Sequence, residues 1–311
     1  MRACELYEGI FAFSHLPVWK KAVSGLSHQG LIDALIDYCL VMGAPASSSW
    51  PTNKVFGQKL RYITSYTLIG NYIQFLDDPF LPPTLTALQA KLTASPRQVA
   101  ELVKNLRAGG YVEAIPDPRD RRSLHLIPTL SLLLEVAKSP LAFLKSAEEL
   151  GFCPPGTYTS LLMAPELMMR WMGRSVRAYQ AQDVLFSPFP TIVRFSERDA
   201  GYVILTAVIA AAYMGAQGRE PPFALTYDGL AKQFQVSRQH IGNLFGEAER
   251  FFTVRAGSIL SISPDLICEF NTFALGQMAH YSLLAEQVLE PSASLSLAEI
   301  ETLLGAATGR C

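Results

Sequence analysis

The stretch whose reading decides the fold runs from Thr84 to Pro128, TLTALQAKLTASPRQVAELVKNLRAGGYVEAIPDPRDRRSLHLIP. At its centre stands Ser95-Pro96-Arg97-Gln98. Serine is a strong N-cap because its side-chain oxygen accepts from a backbone N–H that has no partner inside the helix. Proline loses nothing at the first helical position, and a glutamine three residues after the serine can reach back to the cap. The spacing predicts a helix from Pro96 to about Ala108, closed by Gly109 and Gly110. Val99, Leu102, Val103 and Leu106 make one apolar stripe, and Arg97, Gln98, Lys104 and Asn105 fall on other faces.

Working outward, Thr86 and Gln89 fit the ends of a capping box for a short helix over about 86–92, followed by a tight turn. Two helices so joined form a helix-turn-helix, whose second helix can enter a major groove. Arginine there favours guanine and glutamine favours adenine, which makes Arg97 and Gln98 candidates for base edges. Taken alone, the helix reads equally well as a solvated amphipathic helix in a bundle. The residues after it favour the groove. Tyr111 to Ile115 alternates as a strand, Pro116 to Arg122 is a basic turn, and Leu124 to Ile127 can return as the partner strand. A helix-turn-helix with a two-stranded hairpin is a winged helix.

The pattern recurs. Ser237 lies 142 positions after Ser95, and Thr84/Thr226, Leu88/Leu230, Val99/Ile241, Leu102/Leu244 and Val112/Val254 match at the same offset. Beyond the hairpin loop the offset falls to 136, at Leu124/Leu260 and Leu126/Ile262, so the first copy carries a loop six residues longer. The second copy reads as a helix over 225–234, a cap at Ser237 and a helix over 238–251. Ser237, Arg238, Gln239 and Asn243 suit base and phosphate contacts, with Arg255 in a short wing. Gly242 and Gly246 each weaken that helix by about 1 kcal/mol, so the second copy can be a reader or a module that only packs.

The first copy resembles the DNA-binding half of the MarR family of bacterial transcription regulators. The likeness is carried by 92–99 (LTASPRQV), 106–112 (LRAGGYV) and above all 117–122 (DPRDRR). It covers 84–129 of this chain, and the second copy lacks the Asp/Arg wing pattern. The resemblance implies that Asp120 orders the wing, that Arg121 or Arg122 enters the minor groove, and that Arg119 belongs to the same tip. Ser95, Arg97, Gln98, Lys104 and Asn105 would then face the duplex. It further implies a dimer-like bundle with two reading heads, here fused in one chain as a monomeric pseudo-dimer or paired as a homodimer, and a small aromatic effector. Trp19, Trp50, Tyr62, Tyr66, Trp171, Arg174 and Arg177 could serve such a pocket, although aromatic and Met-rich helices are more often core.

The fold class expected is therefore mainly α with small β-hairpin wings: two tandem winged helix-turn-helix modules joined to a helical bundle. By chain order the halves are 1–150, with module 84–128, and 151–311, with module 225–264 and a C-terminal helix. Bundle helices are expected over 29–42, 54–77, 129–150, 158–182, 198–214 and 265–290. The function expected is a sequence-specific regulator of transcription that binds double-stranded DNA. Alternatives are a plasmid-type replication initiator with tandem winged helices, and a winged-helix protein-interaction module.

Whole-chain composition bounds these expectations. With 311 residues, half of them hydrophobic, the chain can bury a sizeable core. A net charge of −1 gives no global attraction to nucleic acid or anionic membrane, so any such binding is local. Residues 84–128 hold seven Lys or Arg against four acids. The apolar run Tyr202–Met214 is too short to span a bilayer, and no export signal stands at the N-terminus, so a cytoplasmic protein without membrane contact is expected. Five scattered cysteines lack ligand or disulfide spacing, and no phosphate loop, HExxH or GxSxG motif occurs. No enzyme activity, metal or cofactor is expected.

Overall fold

The structure, a computed structural model, describes residues 6–44, 55–120 and 122–289. It is mainly helical, with two antiparallel two-stranded sheets. The chain forms two compact units, each discontinuous in sequence: residues 1–61 with 184–279, and residues 62–183 with 280–311. These units and the halves drawn by chain order are different divisions of the chain.

In chain order the elements are α1 (Pro17–Ser24), α2 (Leu31–Gly43), α3 (Lys59–Asp77), α4 (Leu85–Gln89), α5 (Pro96–Ala108), β1 (Val112–Pro116) and β2 (Leu124–Pro128). There follow α6 (Leu130–Glu149), α7 (Tyr158–Leu162), α8 (Pro165–Ala181), α9 (Pro190–Ser196) and α10 (Gly201–Ala216). The chain continues with α11 (Tyr227–Phe234), α12 (Arg238–Gly246), β3 (Phe252–Arg255), β4 (Ser258–Ile262) and α13 (Pro264–Leu289). The helix expected over 158–182 is in fact two, because Pro165 holds Ala164 in extended backbone (φ −64°, ψ 122°) and starts a new helix. The second-copy helix expected to reach 251 stops at Gly246 and gives way to a 3-10 turn over Glu249–Phe251.

In the first unit, α10 packs on α2, with the Tyr38 and Tyr202 hydroxyls 2.6 Å apart. The apolar run of α10 is a buried core helix. Trp19 lies so close over Gly276 that a Cβ there would sit 2.4 Å from the indole, so only glycine fits. Glu269 is buried and accepts from the N–H groups of Thr191 (2.8 Å) and Ile192 (3.2 Å), the start of α9. Burial raises its carboxyl above the usual range. Cys39 is buried, and burial pushes its thiol well up.

In the second unit, glycines permit a close crossing of α3 and α8. A Cβ on Gly70 would meet Val176 at 2.5 Å, and one on Gly173 would meet Ile73 at 2.9 Å. Tyr66 bonds Ser175, whose Oγ lies 2.9 Å from His280 Nε2, and Trp171 Nε1 donates to the Tyr281 carbonyl at 3.1 Å. Among the described residues no helix is long and apolar enough to cross a membrane, and no group of three His, Cys, Asp or Glu could hold a metal ion.

Candidate nucleic-acid interface

The 84–128 segment belongs to the second unit and builds the order helix, turn, helix, hairpin. The cap of α4 is Thr84, whose Oγ1 accepts from Ala87 N–H at 3.2 Å, so the helix starts ahead of Thr86. Gln89 does not cap. Its Nε2 donates to the Pro96 carbonyl at 2.9 Å and closes the turn between the helices. At α5 the capping box forms: Gln98 N–H donates to Ser95 Oγ (3.3 Å), and Gln98 Oε1 accepts from Ser95 N–H (3.2 Å) and Oγ–H (2.9 Å). The other end is a Schellman closure, with Gly110 at φ +74° donating to the Arg107 carbonyl and Tyr111 N–H to that of Leu106. Gly110 is the residue that makes this left-handed turn without a Cβ penalty.

Burial follows the stripe: Val99, Val103 and Leu106 are buried, and Ser95, Arg97, Gln98, Lys104 and Asn105 are all exposed. Two features reduce the cationic face. Glu101 stands in its middle and pairs with Lys104 at 3.6 Å, an exposed contact worth little. Lys91 turns back instead, donating to Asn71 Oδ1 (2.7 Å) and Gln74 Oε1 (2.6 Å), and partial burial lowers its pKa. Gln98 is committed to its own cap, which competes with the base-edge role expected from its position.

The hairpin pairs Val112 with Pro128 through Pro116 with Leu124. Its tip is ordered by two aspartates. Asp120 Oδ1 accepts from Arg122 N–H at 3.0 Å, and Asp117 Oδ1 accepts from Arg119 N–H at 2.8 Å. Asp117 Oδ2 also lies 3.1 Å from His125 Nε2. The bond from Arg119, and then the His125 contact, hold the Asp117 carboxyl below the usual range. Arg119 and Arg122 are exposed, and the Arg119 guanidinium lies 5.3 Å from the Phe80 ring centroid. Arg121 falls outside the described residues. Leu126 N–H donates to the Pro83 carbonyl at 2.8 Å, tying the segment before α4 to the hairpin.

The 225–264 segment belongs to the first unit and has the same order. Thr226 caps α11 through Gly229 N–H (3.0 Å), and Ser237 caps α12 through His240 N–H (3.0 Å). Thr226 and Ser258 form an isolated bridge, and Ile259 N–H donates to the Leu225 carbonyl at 2.9 Å. Ile259 therefore holds the place of Leu126, not Ile262 as the sequence match has it. Leu260 is an extra, bulged residue, 61% exposed, where the pairing steps from Thr253/Ser261 to Val254/Ile259. The turn is two residues, Ala256 (φ +50°) and Gly257 (φ +74°).

The polar residues here are more engaged. Arg238 pairs with Asp228 at 3.3 Å, and His240 Nε2 lies 2.8 Å from the Asp199 carbonyl. Arg198 reaches both carboxylate oxygens of Glu247 at 2.7 Å, at the end of α12. Ser237, Gln239, Asn243 and Arg255 are exposed. The segment carries four Lys or Arg against three acids, a smaller excess than in the first.

Sequence reasoning missed Thr84, Asp117, Phe80 and the Pro83 strap. Two of them had a signal: Thr84 is where the repeat begins, and Asp117-Pro118 is an Asx-turn pair of the kind that also stands at Asp78-Pro79. The residues weighed for an effector are spent within their units. Trp19 and Trp171 are fully buried, Tyr66 bonds Ser175, and Tyr62 donates to the Val136 carbonyl at 3.1 Å. Arg174 donates to Gln287 at 3.4 Å and Arg177 pairs with Asp77 at 3.1 Å, while Trp50 lies outside the described residues.

Against known protein families, characterised proteins and solved structures, the chain finds no match.

Proposed function

We propose that this protein is a DNA-binding regulator of transcription, and that 84–128 is a winged helix-turn-helix of the kind found in MarR-type regulators. The observation that carries the proposal is the pairing of two devices in one short segment. A serine-capped helix exposes Arg97, Lys104 and Asn105, and an aspartate-ordered tip exposes Arg119 and Arg122. In this reading α5 meets the major groove and the tip meets the minor groove, where negative potential attracts arginine. Asp117 and Asp120 spend their carboxylates on backbone N–H groups, which fixes the backbone that carries the arginines.

The 225–264 segment is a second winged helix-turn-helix that contributes through Gln239, Asn243 and Arg255. Arg238 contributes with them, since its ion pair with Asp228 is exposed and worth little. The two modules differ, so the preferred site is asymmetric rather than palindromic.

The test is selection of duplexes from a random-sequence pool by the full chain, then titration of the winner across salt concentrations. A regulator of this kind selects a defined sequence and shows a log–log salt slope of several units. A chain that retains no duplex at low salt is not a DNA-binding protein, and the proposal falls.

A further inference from the structure

Residues 77–83 (DDPFLPP) build a projection beside the hairpin of the second unit. Asp78 Oδ1 accepts from Phe80 N–H at 3.0 Å, and Leu81 N–H donates to the Asp78 carbonyl at 3.0 Å, which closes a turn with Pro79 at its second position. Pro82 and Pro83 follow with restricted φ, and the Pro83 carbonyl accepts from Leu126 of β2. The turn is thus stiff and fastened to the hairpin. It leaves Phe80 78% and Leu81 52% exposed.

Packing does not account for a phenylalanine placed in water by so deliberate a turn. The Arg119 guanidinium stands over the ring. The neighbouring acids are engaged: Asp77 pairs with Arg177, Asp78 holds the turn, Asp117 contacts His125, and Asp120 accepts from Arg122 N–H. A small apolar knob with the Arg119 charge over it complements a polyanion with apolar base faces better than it does a broad protein surface.

Resting on the DNA-binding function proposed above, we propose that Phe80, backed by Leu81, is an apolar wedge. When Arg119 and Arg122 enter the minor groove, the ring presses on a base step, partly unstacks it and bends the duplex. Phe and Leu wedges of this type kink DNA by roughly 20–90°. Pyrimidine–purine steps yield most readily, so the site carries a TA or CA step at a position that no side chain reads by hydrogen bonds.

The experiment uses the full chain and the tightest duplex it selects from a random library of about 30 base pairs, end-labelled for energy transfer. Wild type brings the labels closer. Phe80→Ala binds about tenfold more weakly and loses most of the bend. Its salt slope is unchanged, because no charge is removed. Phe80→Leu keeps part of the bend, whereas Arg119→Ala lowers the salt slope by about one unit. Because the ring is exposed, thermal unfolding of Phe80→Ala matches wild type, which excludes a folding defect. A Phe80→Ala protein that binds and bends as wild type does overturns the wedge, and so does a protein partner held through Phe80 while bending is unaffected. Wild type that binds tightly without bending overturns the wedge alone. Wild type that selects no duplex overturns the wedge together with the function it rests on.

Discussion

Ser95 and Ser237 cap corresponding helices, yet the surroundings of those helices have diverged. In the first segment the cap is a full box with Gln98, the hairpin tip is long and held by two aspartates, and Arg97 and Arg122 are exposed. In the second the tip shrinks to Ala256-Gly257, Arg238 pairs with Asp228, and His240 is tied to the Asp199 carbonyl. The difference teaches that the same order of two helices and a hairpin can hold its polar residues outward or draw them into its own unit. The frame depends on buried apolar side chains, Val99 and Leu106 in one case and Ile241 and Leu244 in the other. Polar positions are free to vary without cost to that core.

The comparison is most exposed to failure at the two tips. Arg122→Ala is expected to weaken binding of the selected duplex about tenfold and to reduce the salt slope by about one unit, with Arg255→Ala changing affinity by less than about twofold. Equal losses, read by fluorescence anisotropy, would mean that the modules contribute alike.

The caps come next. Ser95→Ala is expected to cost about 1 kcal/mol of stability, and Ser237→Ala somewhat less, because only Ser95 shares a reciprocal box. Gln98→Ala should likewise destabilise the protein while leaving base preference nearly intact, and Gln239→Ala should do the reverse. Denaturant melts combined with binding to single-base variants separate the two effects; a Gln98→Ala protein with altered base preference and unaltered stability contradicts the assignment.

The acid response is subtler. A carboxyl held below its ordinary value, as in Asp117, contributes stability that is fully present above the unfolded-state value and is lost as pH falls through the folded-state value. Acid should therefore loosen the turn at Asp117, lowering the exchange protection factor of the Arg119 amide; Asp117→Asn should remove that pH dependence. The two-residue turn of the second hairpin should show no counterpart.

The smallest effect lies at Ala256. A left-handed alanine is strained, and Ala256→Gly or Ala256→Asn should stabilise the protein by about 0.5–1 kcal/mol by suiting the turn. A melting temperature that falls would show that the turn is not left-handed in solution.

The caps were legible in the sequence because each joins groups three residues apart. A serine or threonine and the N–H that follows it need nothing from the rest of the chain, so Ser95, Pro96, Gln98 and Ser237 could be placed by spacing alone. The stripe of Val99, Val103 and Leu106 was equally plain, since helical period and burial coincide. Pattern matching failed where period two conceals a shift. Val112 pairs as Phe252 does, at the first rung of each hairpin, so the true offset differs by two from the one read and keeps the same alternation. The bulge at Leu260 then displaced the returning strand by one more residue.

What the sequence by itself determined, then, was a mainly helical chain with two segments in which a pair of capped helices is followed by a short hairpin, because these depend on local hydrogen bonds and local apolar spacing. Tertiary structure alone decided where the charges went. Lys91 is drawn back to Asn71 and Gln74, Arg119 lies over Phe80, and Arg238 and His240 are held by Asp228 and Asp199. A long polar side chain can satisfy itself with any partner the fold brings within a few ångströms, and residues 10 to 41 positions apart become neighbours only once the chain has packed.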